Sequence, residues 1–319
     1  MSLGFAIMAV IAGLYTLSTS GDWLVNGASS LAKRFKVSDL FIGVAVVGFG
    51  TSLPEVMATL SAARIEKPAI ALGNIVGSNI ANIGLIMGIG LLLTHQGQKL
   101  LKTEKLDYAL MMSGVGLFCL VLSLGGGIKQ LEAAILLTAL LISLYISLRI
   151  AKAKHQKATL TEGEAAITPL EDSPKKETLL VIGGLIGLFI GAELLIRGAV
   201  TIAETFGMSE KVIGLTLVAI GSSLPELAAT LAAAKRGSIG IIAGNVMGSN
   251  LFNALGAAGI SALVYPIPYG TIGFDLFIMG IFSVAMFPLF FGKSNIGRPL
   301  GIALVTAYAA YIIYLAFGG

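Results

Sequence analysis

The sequence predicts an all-α integral membrane protein of ten transmembrane helices, arranged as two inverted repeats of five helices. Three observations predict this fold. Hydrophobic residues make up 56% of the 319 residues and charged residues only 12%, with a mean hydropathy of +0.91. Ten apolar runs follow one another, and the two halves of the chain repeat each other. Because soluble domains carry about 25% charged residues, a large soluble enzyme is excluded.

The ten apolar runs are long enough to cross a bilayer, which takes roughly 20 residues. They comprise residues 4–31, 39–64, 69–93, 107–124, 131–150, 178–203, 211–235, 239–263, 271–291 and 299–317. The one long polar stretch, 152–177, predicts a linker. The expected domains are therefore a first half, 1–151, the linker, and a second half, 178–319.

Basic residues predict the orientation of these helices. With the N-terminus outside, the cytoplasmic segments hold 16 of the 21 Lys and Arg residues. The positive-inside rule therefore places both termini outside and residues 152–177 in the cytoplasm. A multi-pass protein of the cell (cytoplasmic) membrane is expected.

The two halves of the chain contain the same sequence motif in the same order. A shift of 171 residues places 43–82 on 214–253 without a gap, with 19 identities in 40 positions. Since each half has an odd number of predicted helices, the second copy enters the membrane in the opposite orientation. Inverted repeats with a binding site at their interface are typical of secondary transporters.

Two acidic residues lie within apolar helices, Glu55 in GTSLPE and Glu226 in GSSLPE. A carboxylate inside a bilayer costs at least ~2.5–3.5 kcal/mol on insertion scales and indicates a functional site. The structural alternative is a salt bridge to another helix. The one basic residue far from a helix end, Arg197, already has Glu193 four residues earlier on the same helix face. We therefore interpret Glu55 and Glu226 as ligands of a transported cation.

Oxygen-bearing neighbours surround both acids. Hydroxyl residues precede each Glu by about one turn, and a proline beside each Glu removes the N–H that would bond a glycine carbonyl four residues back. The next helix of each half carries a stripe of amides and hydroxyls. The candidates are Thr51, Ser52, Ser222, Ser223, the carbonyls of Gly50 and Gly221, and Asn74, Ser78, Asn82, Asn245, Ser249 and Asn253. Any single serine or threonine could instead serve only in helix packing.

An all-oxygen set of ligands favours hard cations. Ca²⁺ takes six to eight oxygens, whereas zinc or copper would want imidazole or thiolate. The two histidines, His95 and His155, are predicted in loops, and Cys119 is the only cysteine. One Ca²⁺ or two Na⁺ would neutralise two carboxylates, which is what an antiporter requires.

The paired GTSLPE/GSSLPE and GNIVGSN/GNVMGSN segments resemble the two α-repeats of the sodium/calcium exchanger family, within the cation/calcium exchanger superfamily. The resemblance covers nearly the whole chain. It implies that Glu55 and Glu226 are central calcium ligands that also contact sodium. It further implies alternating access, in which the first and sixth helices slide across a fixed core while several Na⁺ exchange for one Ca²⁺. Additional oxygens would come from Thr51, Ser52, Ser222, Ser223, Ser78, Ser249, Asn82 and Asn253.

This sequence departs from some family members at Asn82 and Asn253, where those members carry an aspartate. Both are amides here, so the site should carry a charge of −2, which argues against potassium co-transport. A proton-coupled exchanger of Ca²⁺ or another divalent cation is the alternative function, because buried glutamates can bind protons. The acidic motif with an adjacent histidine that marks the proton/calcium branch is absent from this sequence.

The remaining observations concern charges and other classes of protein. Asp22 and Glu193 are equivalent under the repeat, and we expect local pairing of Glu193 with Arg197 and of Asp22 with Asn26. An enzyme is not expected, because GTSLPE is not a G-x-S-x-G elbow and no histidine lies in a predicted membrane helix. The expected partners are Na⁺, Ca²⁺ and the lipid bilayer. No cofactor, nucleic acid or protein partner is indicated.

Overall fold

The computed structural model describes residues 2–94, 104–162, 173–206, 221–269, 272–292 and 296–317, which are almost entirely helical. In chain order the helices are α1 (Leu3–Arg34), α2 (Asp39–Thr51), α3 (Leu53–Arg64), α4 (Pro68–Leu93), α5 (Lys105–Gly125), α6 (Gln130–Glu162), α7 (Pro174–Thr205), α8 (Leu224–Lys235), α9 (Ile239–Val264), α10 (Gly273–Phe291) and α11 (Gly297–Phe317). Two short antiparallel strands, β1 (Gly127–Ile128) and β2 (Ile267–Pro268), join the two halves at one end.

The helices agree with the apolar runs of the sequence. Among the described residues, eight helices are long and apolar enough to cross a membrane, and the bent pair α2 and α3 makes a ninth. The run 211–235 is described only in its second part, where it forms α8. The protein is therefore a helical protein with eight to nine apolar spans in the described chain.

Both ends of the polar stretch 152–177, which was predicted as a linker, are helical. Residues 152–162 continue α6, so the prediction of His155 in a loop was wrong, and 174–177 already belong to α7. The sequence after residue 151 is polar but contains good helix formers and no proline or glycine before Gly163, so the helix continues past the apolar run. At the other end, the Ser173 hydroxyl accepts from the Lys176 N–H and Pro174 takes the first helical turn. His95 lies outside the described residues.

The long helices α1 and α7 form a closely packed antiparallel pair. Glycines make the contact: a Cβ on Gly13 would lie 2.8 Å from the Gly191 carbonyl oxygen, and one on Gly198 would lie 2.6 Å from that of Ala6. Small residues at helix crossings let backbones approach closely in a membrane. The pair therefore behaves as one unit that a larger side chain would force apart.

Helices α4 and α9 form the interior of the molecule. In their most apolar windows 78% and 89% of residues are buried, compared with 44% or less for the other long spans. The first part of α2 crosses α9 so closely that a Cβ on Gly43 would lie 2.9 Å from the Cα of Gly244. Helices α10 and α11 cover α4, and α5 and α6 cover α9. The polar residues singled out in the sequence lie in this interior.

In the described part of the chain, three short π-helical segments interrupt helices: Gly43–Gly48 in α2, Asn82–Met87 in α4 and Phe252–Ala257 in α9. Such insertions widen a helix locally and are frequent at functional sites. Asn82 and Asn253, two of the candidate ligands, lie in the second and third of these segments.

A buried ion pair fastens one end of the α1/α7 pair. Arg34, at the end of α1, donates from Nε to Oε2 of Glu177 at 2.6 Å and from Nη2 to Oε1 at 2.9 Å. The Glu177 side chain is fully buried. A two-bond pair of this kind fixes both the position and the orientation of the two helix ends.

Removal of Arg34 should destabilise the protein strongly. Arg34→Ala leaves the buried Glu177 carboxylate without its cation and without both of its charged hydrogen bonds. Thermal unfolding in detergent should show a clearly lower midpoint than in the matched variant Lys33→Ala, which removes an exposed cation from the same turn. Equal midpoints in the two variants would contradict the importance of this pair.

Candidate ion-binding site

The two candidate acids lie on equivalent short helices. Glu55 is in the first turn of α3 and Glu226 is in the first turn of α8, and each helix begins just after a serine with almost the same backbone angles. Ser52 has φ −85° and ψ 5°, and Ser223 has φ −91° and ψ 6°. The axes of α2 and α3 differ by 42° across this break. The proline in each LPE segment lies in the first turn of its glutamate helix, where a missing N–H costs no intrahelical bond.

Both carboxylates are buried, each with only 1% of its surface exposed. The Ser52 hydroxyl, from the first half, lies 3.4 Å from Oε1 of Glu226, from the second half. The sequence suggested that Thr51 and Ser52 share a helix face with Glu55. The Ser52 hydroxyl also reaches the glutamate of the other repeat, whereas the Thr51 hydroxyl donates to the Val47 carbonyl of its own helix at 3.0 Å. The site is therefore built across the two halves.

Several buried polar atoms at this site lack any hydrogen-bond partner. They are Oε2 of both glutamates and the side-chain oxygens and nitrogens of Asn82 and Asn253. Buried polar atoms are nearly always satisfied in folded proteins, and each exception requires an explanation such as an ion or a water. Carboxylate and amide oxygens are ligands that Ca²⁺ and Na⁺ accept. A bound cation would satisfy the oxygens of this set.

Asn74 and Asn245 hold the glutamate helices in place. The Asn74 amide donates to the Glu55 carbonyl at 3.1 Å and to the Thr59 hydroxyl at 2.9 Å. Asn245 repeats both contacts, with the carbonyl of Glu226 at 3.1 Å and the hydroxyl of Thr230 at 3.2 Å. The polar stripe of each neighbouring helix therefore faces the glutamate helix, as the sequence predicted.

The other candidate residues lie in the same interior with unequal environments. The Thr51 hydroxyl is 3.3 Å from Oδ1 of Asn245, and the Ser249 hydroxyl donates to the Gly48 carbonyl at 3.2 Å. Ser222, the equivalent of Thr51, is half-buried, whereas Thr51 is fully buried. The remaining candidates, Ser78, Ser223, Gly50 and Gly221, are buried.

Sequence reasoning missed a further symmetric pair. The side-chain amide of Asn79 donates to the carbonyl of Asn250 at 3.4 Å, and that of Asn250 donates to the carbonyl of Asn79 at the same distance. These residues are 171 positions apart, the period of the repeat. Both belong to the repeated GSN triplet, and this repetition was the signal that could have identified them.

The charges around the site favour a cation. In the described part of the chain, no Lys or Arg forms an ion pair with Glu55 or Glu226, and no third acid, histidine or cysteine groups with them. The predicted pair of Glu193 and Arg197 is confirmed at 2.5 Å. The predicted partner of Asp22 was wrong. Asp22 lies 4.0 Å from Lys235 on α8, because α8 packs against this part of α1.

Membrane-length helices around a buried, oxygen-lined site define a multi-pass integral membrane protein of the ion-transporter class. The model of the family described as sodium/calcium exchanger protein matches residues 5–149 and 176–317. The chain belongs to the sodium/calcium exchanger family. Its fold is that of the sodium-calcium exchanger NCX_Mj, solved after soaking with Na⁺ and Sr²⁺, with a TM-score of 0.79 and 32% identity over 97% of this chain and 98% of that one.

Relatives of similar length align with this chain over almost its whole sequence. A putative antiporter, CaxA of Alkalimonas amylolytica, is 36% identical over 98% of both chains. The sodium/calcium exchanger MaX1 of Methanosarcina acetivorans is 28% identical over 97% of this chain and 98% of its own. Family membership therefore extends to both halves and supports exchange of cations that include Ca²⁺.

The two supporting asparagines should differ in their importance for stability. Asn245→Ala leaves the buried Glu226 carbonyl and Thr230 hydroxyl without a donor, which costs ~1–3 kcal/mol. Asn74 is half-buried, so water can replace its amide and Asn74→Ala should cost less. Thermal unfolding of both variants in detergent measures the difference. Equal losses, or no loss in Asn245→Ala, would contradict the described roles.

Proposed function

We propose that this protein is an antiporter that exchanges Na⁺ for Ca²⁺ across the membrane, with both ions bound in turn at one site between the two halves. The observation that carries the proposal is the pair of buried carboxylates, each with one oxygen that lacks a partner. Two such charges in an apolar interior require a compensating cation. Transport of that cation explains why no basic side chain of the described chain pairs with these carboxylates.

The proposed ligands are oxygen atoms contributed by both repeats. The carboxylates of Glu55 and Glu226 supply a charge of −2, which one Ca²⁺ or two Na⁺ neutralise. Thr51, Ser52, Ser222, Ser223, Ser78 and Ser249, together with Asn82 and Asn253, supply further oxygens, and the carbonyls of Gly50 and Gly221 are additional candidates. Asn74 and Asn245, whose nitrogens already bond the glutamate helices, act as supports of the site.

The proposed architecture has ten helices in two inverted five-helix halves, 1–151 and 178–319, with 152–177 between them. The repeats would be 43–82 and 214–253, and the tenth span would be 211–235. The reciprocal bonds between Asn79 and Asn250 support a two-fold relation between the halves, as do the matching breaks at Ser52 and Ser223. Alternating access would follow if the α1/α7 pair moves over the interior helices and exposes the site to one side at a time.

The proposed orientation places both termini outside and 152–177 in the cytoplasm, in the cell membrane. The excess of basic residues on one side of the predicted topology supports it. An enzymatic activity is not proposed, because GTSLPE is not a G-x-S-x-G elbow.

Sodium-driven calcium uptake tests the proposal directly. Proteoliposomes loaded with Na⁺ and diluted into Na⁺-free medium with ⁴⁵Ca²⁺ should accumulate the isotope. Uptake should stop when internal Na⁺ is replaced by choline, and should persist when an ionophore collapses the pH gradient. Uptake driven equally by a pH gradient without Na⁺ would contradict Na⁺ coupling and favour the proton-coupled alternative.

Removal of either carboxylate charge should abolish exchange without unfolding the protein. Glu55→Gln and Glu226→Gln should each lower the rate at least about 30-fold, since loss of one charge from a buried set costs at least ~2 kcal/mol. The matched control Glu204→Gln changes an exposed glutamate at the end of α7 and should exchange at the wild-type rate. Retained exchange in both site variants would refute the ligand assignment.

A further inference from the structure

The helices that carry the two glutamates end in equivalent basic residues that make unequal contacts. Arg64 is the last residue of α3 and Lys235 is the last residue of α8, 171 positions later. Lys235 Nζ lies 4.0 Å from Oδ2 of Asp22 and donates to the Ser18 hydroxyl at 3.4 Å, which ties α8 to α1. Within the described residues Arg64 forms no ion pair.

Two acidic residues on the long helices α1 and α7 are also equivalent under the repeat. The repeat relates Asp22 on α1 to Glu193 on α7. Asp22 is near Lys235, but Glu193 bonds Arg197 on its own helix at 2.5 Å. Of two ion pairs that the repeat makes equivalent, one is formed in this structure and the other is not.

The helix surfaces beside these residues show the same asymmetry. On one side, a Cβ on Gly21 of α1 would lie 2.9 Å from the Ala228 carbonyl oxygen of α8, and Ala232 is buried. The equivalent face of α3 is open: Met57 is 62% exposed and Ser61 is also exposed. The contact of α8 with the long helix pair is therefore closed, and the equivalent contact of α3 is open.

We propose that Asp22–Lys235 and Glu193–Arg64 are alternating ion pairs, one for each of the two end states of the exchanger. This inference rests on the proposed alternating access. The Asp22–Lys235 pair holds the state described here, with the Lys235 side closed. When the long helix pair moves to cover α3, Lys235 separates from Asp22. Glu193 then exchanges its partner Arg197 for Arg64. In the proposed orientation this structure is the outward-open state.

The exposure of these groups suits a contact that must break in every cycle. The side chains of Lys235 and Asp22 are 60% and 40% exposed, and those of Arg197 and Glu193 are 74% and 58% exposed. Exposed ion pairs contribute little energy, so either can open easily. Arg197 pairs with Glu193 in this structure, whereas the repeat equivalent of Arg197, Asn26, is uncharged. When its pair opens, Glu193 therefore has a second basic partner on its own helix, whereas Asp22 has none at the equivalent position.

Cross-linking tests whether the second pair forms. In a Cys119→Ser background, the double variants Asp22→Cys/Lys235→Cys and Arg64→Cys/Glu193→Cys are treated with a short reducible bis-methanethiosulfonate. Both should cross-link, each should lose exchange, and reductant should restore it. The control Arg64→Cys/Glu204→Cys should not cross-link. Failure of Arg64→Cys/Glu193→Cys to cross-link, in a protein that exchanges ions, would overturn the inference and leave the proposed function intact.

Charge-neutralising variants test whether the pairs select the state. The readout is the labelling rate of a Ser61→Cys reporter, since its face is open in this structure and closes in the other state. Asp22→Asn and Lys235→Gln should slow labelling about two- to five-fold, the population shift expected from loss of an exposed pair. Arg64→Gln and Glu193→Gln should leave it unchanged or faster. The swap Asp22→Lys/Lys235→Asp should restore the wild-type rate.

Two outcomes separate the possible failures. Labelling that shifts in the same direction in all four single variants indicates a merely structural role and overturns the inference. Cross-linking and labelling as expected, in a protein without Na⁺-driven Ca²⁺ uptake, would confirm the alternating pairs and refute the proposed coupling.

Discussion

Two carboxylates enclosed in an apolar interior, each with one oxygen left without a partner, are the constraint on which the rest of the structure depends. Neither forms an ion pair with a basic residue in the described chain, so their charges need compensation that the described side chains do not supply. The surrounding features follow from this need. Helices α3 and α8 begin after Ser52 and Ser223 with a proline in the first turn, and asparagine amides bond the carbonyls of both glutamates.

The molecule combines this fixed interior with a separate outer pair of helices. Close glycine contacts and the Arg34–Glu177 ion pair join α1 and α7 to each other, whereas the ion pair that joins α1 to α8, Asp22–Lys235, is exposed. A strong bond within the pair and a weak one to the interior is the arrangement that a moving unit requires. The face of α8 that packs on α1 is covered and the equivalent face of α3 is exposed, so the two halves differ in conformation in this structure.

Composition and repetition predicted most of the fold and the polar residues of the site. Apolar runs of about 20 residues mark membrane helices because a helix satisfies its backbone hydrogen bonds within one segment, and the repeat identified Glu55 and Glu226. Three features needed the structure. The Ser52 hydroxyl reaches Glu226 of the opposite repeat, a long-range contact that spacing cannot encode. Asp22 finds Lys235 because α8 packs on α1, and helix α6 continues to Glu162 because helix propensity does not end with hydrophobicity.

The central claim is that Glu55 and Glu226 together hold the transported ion, and direct location of that ion tests it most directly. Crystals soaked with Ca²⁺ and measured for anomalous scattering should give a peak between the two carboxylates, at about 2.3–2.6 Å from oxygens of both. High Na⁺ in the soak should remove the peak, since the two ions compete for the same oxygens. A Ca²⁺ peak bound elsewhere, with no density between these side chains, would contradict the account.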